Sequence, residues 1–160
     1  MKNTTHLILG MLALTFGMEV KAQIQLPSVF SDGMVLQQNS KVAVWGWGNP
    51  SETLMILSEW NPGDTVRTVV DNQGRWKAEV PTGRAGGPYT LEVKGGNDSR
   101  KLSDVMLGEV WLCSGQSNME WSANMGIMNG EQEVKQAASP SVRIFHNPKQ
   151  GADTPQTDCR

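Results

Sequence analysis

The chain has 160 residues, room for one domain or two small ones, with 38% hydrophobic and 19% charged side chains, 17 glycines and 8 prolines. That balance excludes a disordered chain and a fibrous one. A net charge of −2, from 14 basic and 16 acidic residues with no basic run, argues against nucleic acid as a partner.

In chain order, residues 1–22 read as a signal peptide. Lys2 supplies a positive start, Leu7, Ile8, Leu9, Met11, Leu12, Leu14 and Phe16 an apolar stretch, and Val20-Lys21-Ala22 a cleavage site. The stretch is shorter than the ~18 residues that span a bilayer and is interrupted by Thr15 and Gly17, so no stable membrane insertion is expected after cleavage. The mature chain would begin at Gln23 and be exported, to the periplasm or the extracellular space. In that oxidising setting two cysteines, Cys113 and Cys159, are too few for a disulfide framework, and sequence leaves their pairing open. Neither spacing nor accompanying histidines suggests a metal site.

Residues 23–104 carry short apolar runs separated by turn chemistry. Met34–Leu36, Val42–Trp47, Thr53–Leu57, Thr65–Val70, Arg75–Val80 and Tyr89–Val93 are expected strands, rich in β-branched, aromatic and aliphatic residues. Asp32-Gly33, Gly48-Asn49-Pro50, Asn61-Pro62-Gly63-Asp64, Asn72-Gln73-Gly74 and Gly86-Gly87-Pro88 punctuate them, because Gly and Asn accept positive φ and Pro presets the turn. Strands at intervals of about 8–12 residues predict an antiparallel β-sandwich or barrel.

After Asp104 the pattern changes. Val105–Leu107 and Val110–Cys113 are near-continuous apolar runs, as in a strand buried on both faces of a parallel sheet. A polar loop, Ser114 to Asn118, follows. Asn129 is placed to cap a helix through Glu131, Val134, Ala137 and Ala138, with Glu131 and Glu133 in its first turn and Lys135 later. Pro140 ends it, and Val142–Phe145 reads as the next strand. Strand, loop, helix and strand make one βαβ unit. One such unit cannot bury both faces of its sheet, so residues 105–160 are expected to be the truncated start of an α/β domain. The plainer alternative is an appendage packed on the sandwich.

A serine on a loop between a buried strand and a helix N-terminus meets converging backbone N–H groups that suit a developing oxyanion. Ser117 holds that position. Gly115-Gln116-Ser117-Asn118 is followed by Met119, not by the glycine of the tight G-x-S-x-G elbow, so a more relaxed loop is expected. Gly-x-Ser alone is a weak signal.

The longer string Gly108-Glu109-Val110-Trp111-Leu112-Cys113-Ser114-Gly115-Gln116-Ser117-Asn118-Met119-Glu120-Trp121 resembles the nucleophile block of sialate O-acetylesterases, in the SGNH (GDSL-like) hydrolase superfamily. Leu26-Pro27, Phe30-Ser31-Asp32-Gly33-Met34-Val35-Leu36-Gln37, Val44-Trp45-Gly46-Trp47, Asp71-Asn72-Gln73-Gly74-Arg75-Trp76 and Gly86-Gly87-Pro88-Tyr89 are similar to that family's N-terminal β-sandwich region. The resemblance implies a mixed fold: the sandwich, then the first βαβ unit of a flavodoxin-like SGNH domain. It also implies hydrolysis of O-acetyl esters of sialic acid or related acetylated glycans through an acyl-serine intermediate, with no metal or cofactor. Ser117 matches the nucleophile. Gly115, Gln116 and Asn118 would support its loop, and Trp121 would wall the site. The family's base and its acidic partner lie in an Asp-x-x-His element near the domain's C-terminus, and these 160 residues contain none. As it stands the chain is therefore expected to be inactive.

His146, the sole histidine after the leader, has no acidic neighbour in sequence to fix its tautomer and is read as a solvated loop residue. The tryptophans at 45, 47, 60, 76 and 111 are read as packing, and Met119, Met125 and Met128 as gap-fillers. The competing function is a non-catalytic, exported carbohydrate-binding β-sandwich module, and oligomeric state is left open.

Overall fold

A computed structural model describes residues 23–123 and 125–159. The expected signal peptide lies outside the described residues. The chain is dominated by seven strands: β1 (Val35–Gln37), β2 (Lys41–Trp47), β3 (Thr53–Ser58), β4 (Thr65–Val69), β5 (Arg75–Pro81), β6 (Gly86–Gly95) and β7 (Asp98–Gly108). Five form one sheet in the order β1-β7-β6-β3-β4, and β2 pairs with β5 in a second. Alternation explains the layering: Trp76, Ala78 and Val80 of β5 are buried while Arg75, Lys77 and Glu79 between them are exposed. Leu54 and Ile56 of β3, Leu91 and Val93 of β6, and Val105 and Leu107 of β7 meet Val44 of β2 and the β5 residues in one apolar cluster. The two sheets thus share a core, as a β-rich, sandwich-like unit requires.

Turn chemistry acts where it was expected. Asp71 Oδ1 accepts the N–H groups of Arg75 (2.9 Å) and Gln73 (2.8 Å), closing the turn in which Gly74 takes φ +75°. Those bonds, that of Arg75 first, hold the Asp71 carboxyl below its ordinary pKa.

Three expectations need correction. The sheet is not wholly antiparallel, because β1 runs parallel to β7, with Val35 opposite Met106 and Leu36 opposite Leu107. Val105–Leu107 does not open a second domain's sheet: it ends β7, and Val105 and Leu107 lie in the sandwich core. Beyond Gly108 the expected βαβ unit is not formed among the described residues. Val110–Cys113 and Val142–Phe145 carry no strand. Leu112 is 94% exposed and Ile144 86%. A strand exists through ladder bonds to a neighbour, and among the described residues neither run pairs with one, so apolarity alone leaves both outside any sheet.

The helix of the expected unit is present as α1 (Gly130–Gln136), with Glu131 and Glu133 in its first turn and Lys135 in its last. Asn129 stands at the N-cap but in the left-handed region (φ 61°), so its side chain makes no cap bond and only its carbonyl engages, accepting the Glu133 N–H at 2.9 Å. No described helix is long and apolar enough to cross a membrane.

Candidate functional site

The path to Ser117 is set where β7 ends. Glu109 receives Gln38 Nε2 (2.7 Å) and Gln37 Nε2 (3.1 Å), and the Val110 N–H donates to Gln37 Oε1 (2.9 Å). Gln38 Oε1 also accepts the Ala85 N–H at 2.8 Å. Two side-chain amides from the end of β1 thus grip the chain as it leaves the sheet. The bond from Gln38, then that from Gln37, holds the Glu109 carboxyl below the ordinary glutamate pKa.

A lowered carboxylate pKa makes this grip acid-sensitive. Its contribution is fully present above the unfolded-state glutamate value, about 4.3, and is lost as pH falls through the lower folded-state value. Amide exchange at Val110 is therefore expected to accelerate, relative to the intrinsic rate, between about pH 4.3 and the lowered value. Glu109→Gln should flatten that pH profile; an unchanged profile in the variant would assign the effect elsewhere.

Ser117 opens a single 3-10 turn, Ser117–Glu120, rather than an α-helix. Gln116 precedes it in extended conformation, and its carbonyl accepts the Met119 N–H at 2.9 Å. The Asn118 carbonyl accepts the Trp121 N–H at 3.3 Å and ends the turn. Met119 folds back over Gly115: a Cβ there would stand 3.0 Å from Met119 Cγ, a tight approach that the half-exposed methionine would have to ease by a few tenths of an ångström. Glu120 is ion-paired with Lys149, both largely in solvent, a pairing of small energetic weight.

Gly115, Gln116, Ser117, Asn118 and Trp121 are all exposed. Among the described residues no hydrogen bond occupies Ser117 Oγ or the N–H groups of Ser117 and Asn118. The Ser117 hydroxyl and the two adjacent amides are thus unengaged on an exposed loop. What is not brought together is equally definite. No described side chain stands as a base at Ser117 Oγ, and His146 is exposed in the chain after Val142. A shallow concavity of ≈ 710 Å³ lies alongside α1, lined by Ala123, Ile127, Asn129, Glu131 and Lys135 among others, and Ser117 is not part of its wall. Cys113 and Cys159 are free thiols, the first exposed.

Of the tryptophans read as packing, Trp76 is buried and Trp45 is covered edge-on by Phe30, with ring centroids 4.7 Å apart. Trp60 donates Nε1–H to the Pro81 carbonyl (2.9 Å) and meets Tyr89 edge-on. Trp111 differs: it is 83% exposed and lies outside the core. The grip of Gln37 and Gln38 on Glu109 was not anticipated, because residues more than seventy positions apart leave no local pattern.

No protein-family model matches the chain. It is 32% identical over 127 residues to sialate O-acetylesterase of Mus musculus and 33% identical over 129 residues to that of Homo sapiens, in each case over 74% of this chain. The chain spans about a quarter of the length of these curated relatives, 23% and 24%. Among solved structures it is similar to a carbohydrate acetylesterase from Xanthomonas citri, with 35% identity and a TM-score of 0.75 over 86% of this chain and 31% of that one. The resemblance carried by the sequence blocks is borne out.

Proposed function

We propose that this chain is the nucleophile-bearing part of a carbohydrate O-acetylesterase, acting on O-acetylated sialic acid or a related acetylated glycan. The observation that carries the reading is the similarity to sialate O-acetylesterases and to a carbohydrate acetylesterase structure, over a span that includes the sandwich. The exposed Ser117 hydroxyl, flanked by unoccupied amides, supports the site assignment. Ser117 Oγ attacks the acetyl carbonyl carbon, its proton passes to a base, and the carbonyl electron pair is held by the loop N–H groups. Collapse expels the sugar oxygen, which takes that proton from the base and departs as a hydroxyl, and leaves acetyl-serine. Water then attacks the acyl carbon by the same route and acetate departs. Gly115, Gln116 and Asn118 shape the loop, and Trp121 offers an apolar wall beside it. The leader-like residues 1–22 support export to the periplasm or beyond.

These 160 residues contain no Asp-x-x-His element, so the chain by itself is expected to hydrolyse an aryl acetate about 10⁴-fold or more slowly than a protein that joins it to one. A protein that joins this chain to an Asp-x-x-His element is expected to release acetate from O-acetylated sialic acid. The well-packed sandwich favours a second reading, a carbohydrate-binding module. Glycan binding by calorimetry, with no acetate released by the joined protein, would select it.

A further inference from the structure

The segment carrying Ser117 leaves the sandwich at Gly108 and touches it again at Arg143 and at Asp158, whose Oδ1 accepts the Ser28 N–H (2.7 Å); the contacts at Glu109 and Arg143 fall on one edge. Arg143 Nη1 donates to the carbonyls of Gly33 (2.8 Å) and Asp104 (2.5 Å), and Nη2 donates to Asp104 Oδ1 (2.9 Å). These acceptors are built in by the fold. Tyr89 lies opposite Val105 and Leu91 opposite Leu102, so β7 carries one residue more than β6 across this interval, and Asp104 adopts φ +55° there. Such a bulge turns a carbonyl and side chain out of the ladder, where they need another donor. The turn before β1 is locked to the same place: Gly33 N–H donates to the Ser103 carbonyl (3.0 Å), and Asp32 Oδ1 accepts the Ser103 N–H (2.7 Å).

Two carbonyls and a carboxylate thus converge on one guanidinium, and the planar fork of arginine serves all three at once. Exposure separates this contact from chance adhesion. Val142 is 66% exposed and Ile144 86%, yet the Arg143 side chain between them is drawn in to 27%. The other contact lies along the same edge, where Gln37 and Gln38 hold Glu109 and Val110.

We propose that the Asp32–Gln38 stretch and the β7 bulge at Asp104 form a docking seat for the Ser117-bearing segment, pinned before Ser117 by Glu109 and after it by Arg143. The seat fixes where the segment stands against the sandwich, and only its relevance to catalysis rests on the esterase reading. Arg143 and Glu109 are docking residues and touch no reacting atom.

Trypsin provides the test on the full chain, because it must draw a basic side chain into its own pocket. Cleavage after Arg143 is expected to be about tenfold slower than after Lys149, which lies in the same open segment. Arg143→Lys preserves the charge and the cleavage site but cannot reach three acceptors, so its cleavage should approach the Lys149 rate. Asp104→Asn, which tolerates the left-handed backbone, should produce an intermediate rate. Absence of early cuts after Lys94 and Arg100, inside β6 and β7, certifies that each variant is folded. For the other pin, Gln37→Leu should bring Val110 amide exchange close to the unprotected rate. Equal cleavage after Arg143 and Lys149 in the unaltered chain, or no change on Arg143→Lys, would overturn the pin at Arg143. An unaltered Val110 rate would overturn the one at Glu109. None of these readouts involves acetate, so the seat and the esterase reading fail independently.

Discussion

Replacing Ser117 by alanine, in a protein that joins this chain to an Asp-x-x-His element, is expected to lower kcat for acetate release by about 10⁴-fold or more. The magnitude follows from how the groups cooperate. A serine hydroxyl is a poor nucleophile at neutral pH until a base takes its proton as the bond to carbon forms, so without Oγ the base has nothing to activate. The loop amides remain in the variant and still favour an oxyanion, which is why a residual rate above buffer is expected. KM should change little, because Oγ contributes its bonding in the transition state and not in ground-state binding. Steady-state kinetics on O-acetylated sialic acid and on an aryl acetate would measure both constants. A fall of less than about tenfold in kcat would remove Ser117 from the mechanism and leave the carbohydrate-binding reading in possession of the sandwich.

The strands that sequence made legible are those where alternation and turn chemistry agree. Val42–Trp47 and Arg75–Val80 lie within one residue of β2 and β5 at each end. The first half of β7 was not legible. Ser99, Arg100, Lys101 and Ser103 face outward or are partly covered, and the Gly95-Gly96-Asn97-Asp98 turn masks the strand's start. Gly86–Pro88 reads as a turn and forms one end of β6, where Gly86 pairs with Leu107 across a register shift. Three-residue β1 pairs in parallel with a strand some seventy residues away, and no local period encodes that. The opposite error arose at Val110–Cys113 and Val142–Phe145, whose apolarity specifies burial without specifying what buries them. At the candidate site the exposed Ser117 loop was legible from its break in hydrophobic pattern. The contacts that hold the chain on either side of it were not, since Arg143, Gly33 and Asp104 come together only through a bulge and a turn.

Trp76→Ala is expected to cost about 3–5 kcal/mol of sandwich stability, the range for removing a large aromatic from a packed core. The indole is 3% exposed, and across the β2–β5 ladder it stands opposite Gly46, where a Cβ would meet the Gln25 backbone and Trp76 Cζ2. Glycine there makes room and tryptophan fills it, so truncation leaves a void bounded by backbone that cannot close. The hydrogen bond matters less. Trp76 Nε1–H donates to the Trp47 carbonyl at 3.3 Å, but that oxygen also accepts the Gln25 N–H at 2.9 Å and stays satisfied. Trp76→Phe, which keeps a ring and loses the donor, should therefore cost well under half as much. Urea unfolding followed by far-ultraviolet circular dichroism separates the two variants, with the midpoint falling and the slope unchanged. A loss below about 1 kcal/mol for the alanine variant would mean the β2–β5 layer is not a cooperative part of the core. Small domains hold about 5–15 kcal/mol in all, so the alanine variant has little margin left. Near its midpoint the bulge at Asp104 and the turn at Gly33 dissolve with the sheet, and slow tryptic cleavage after Arg143 should disappear in the same transition.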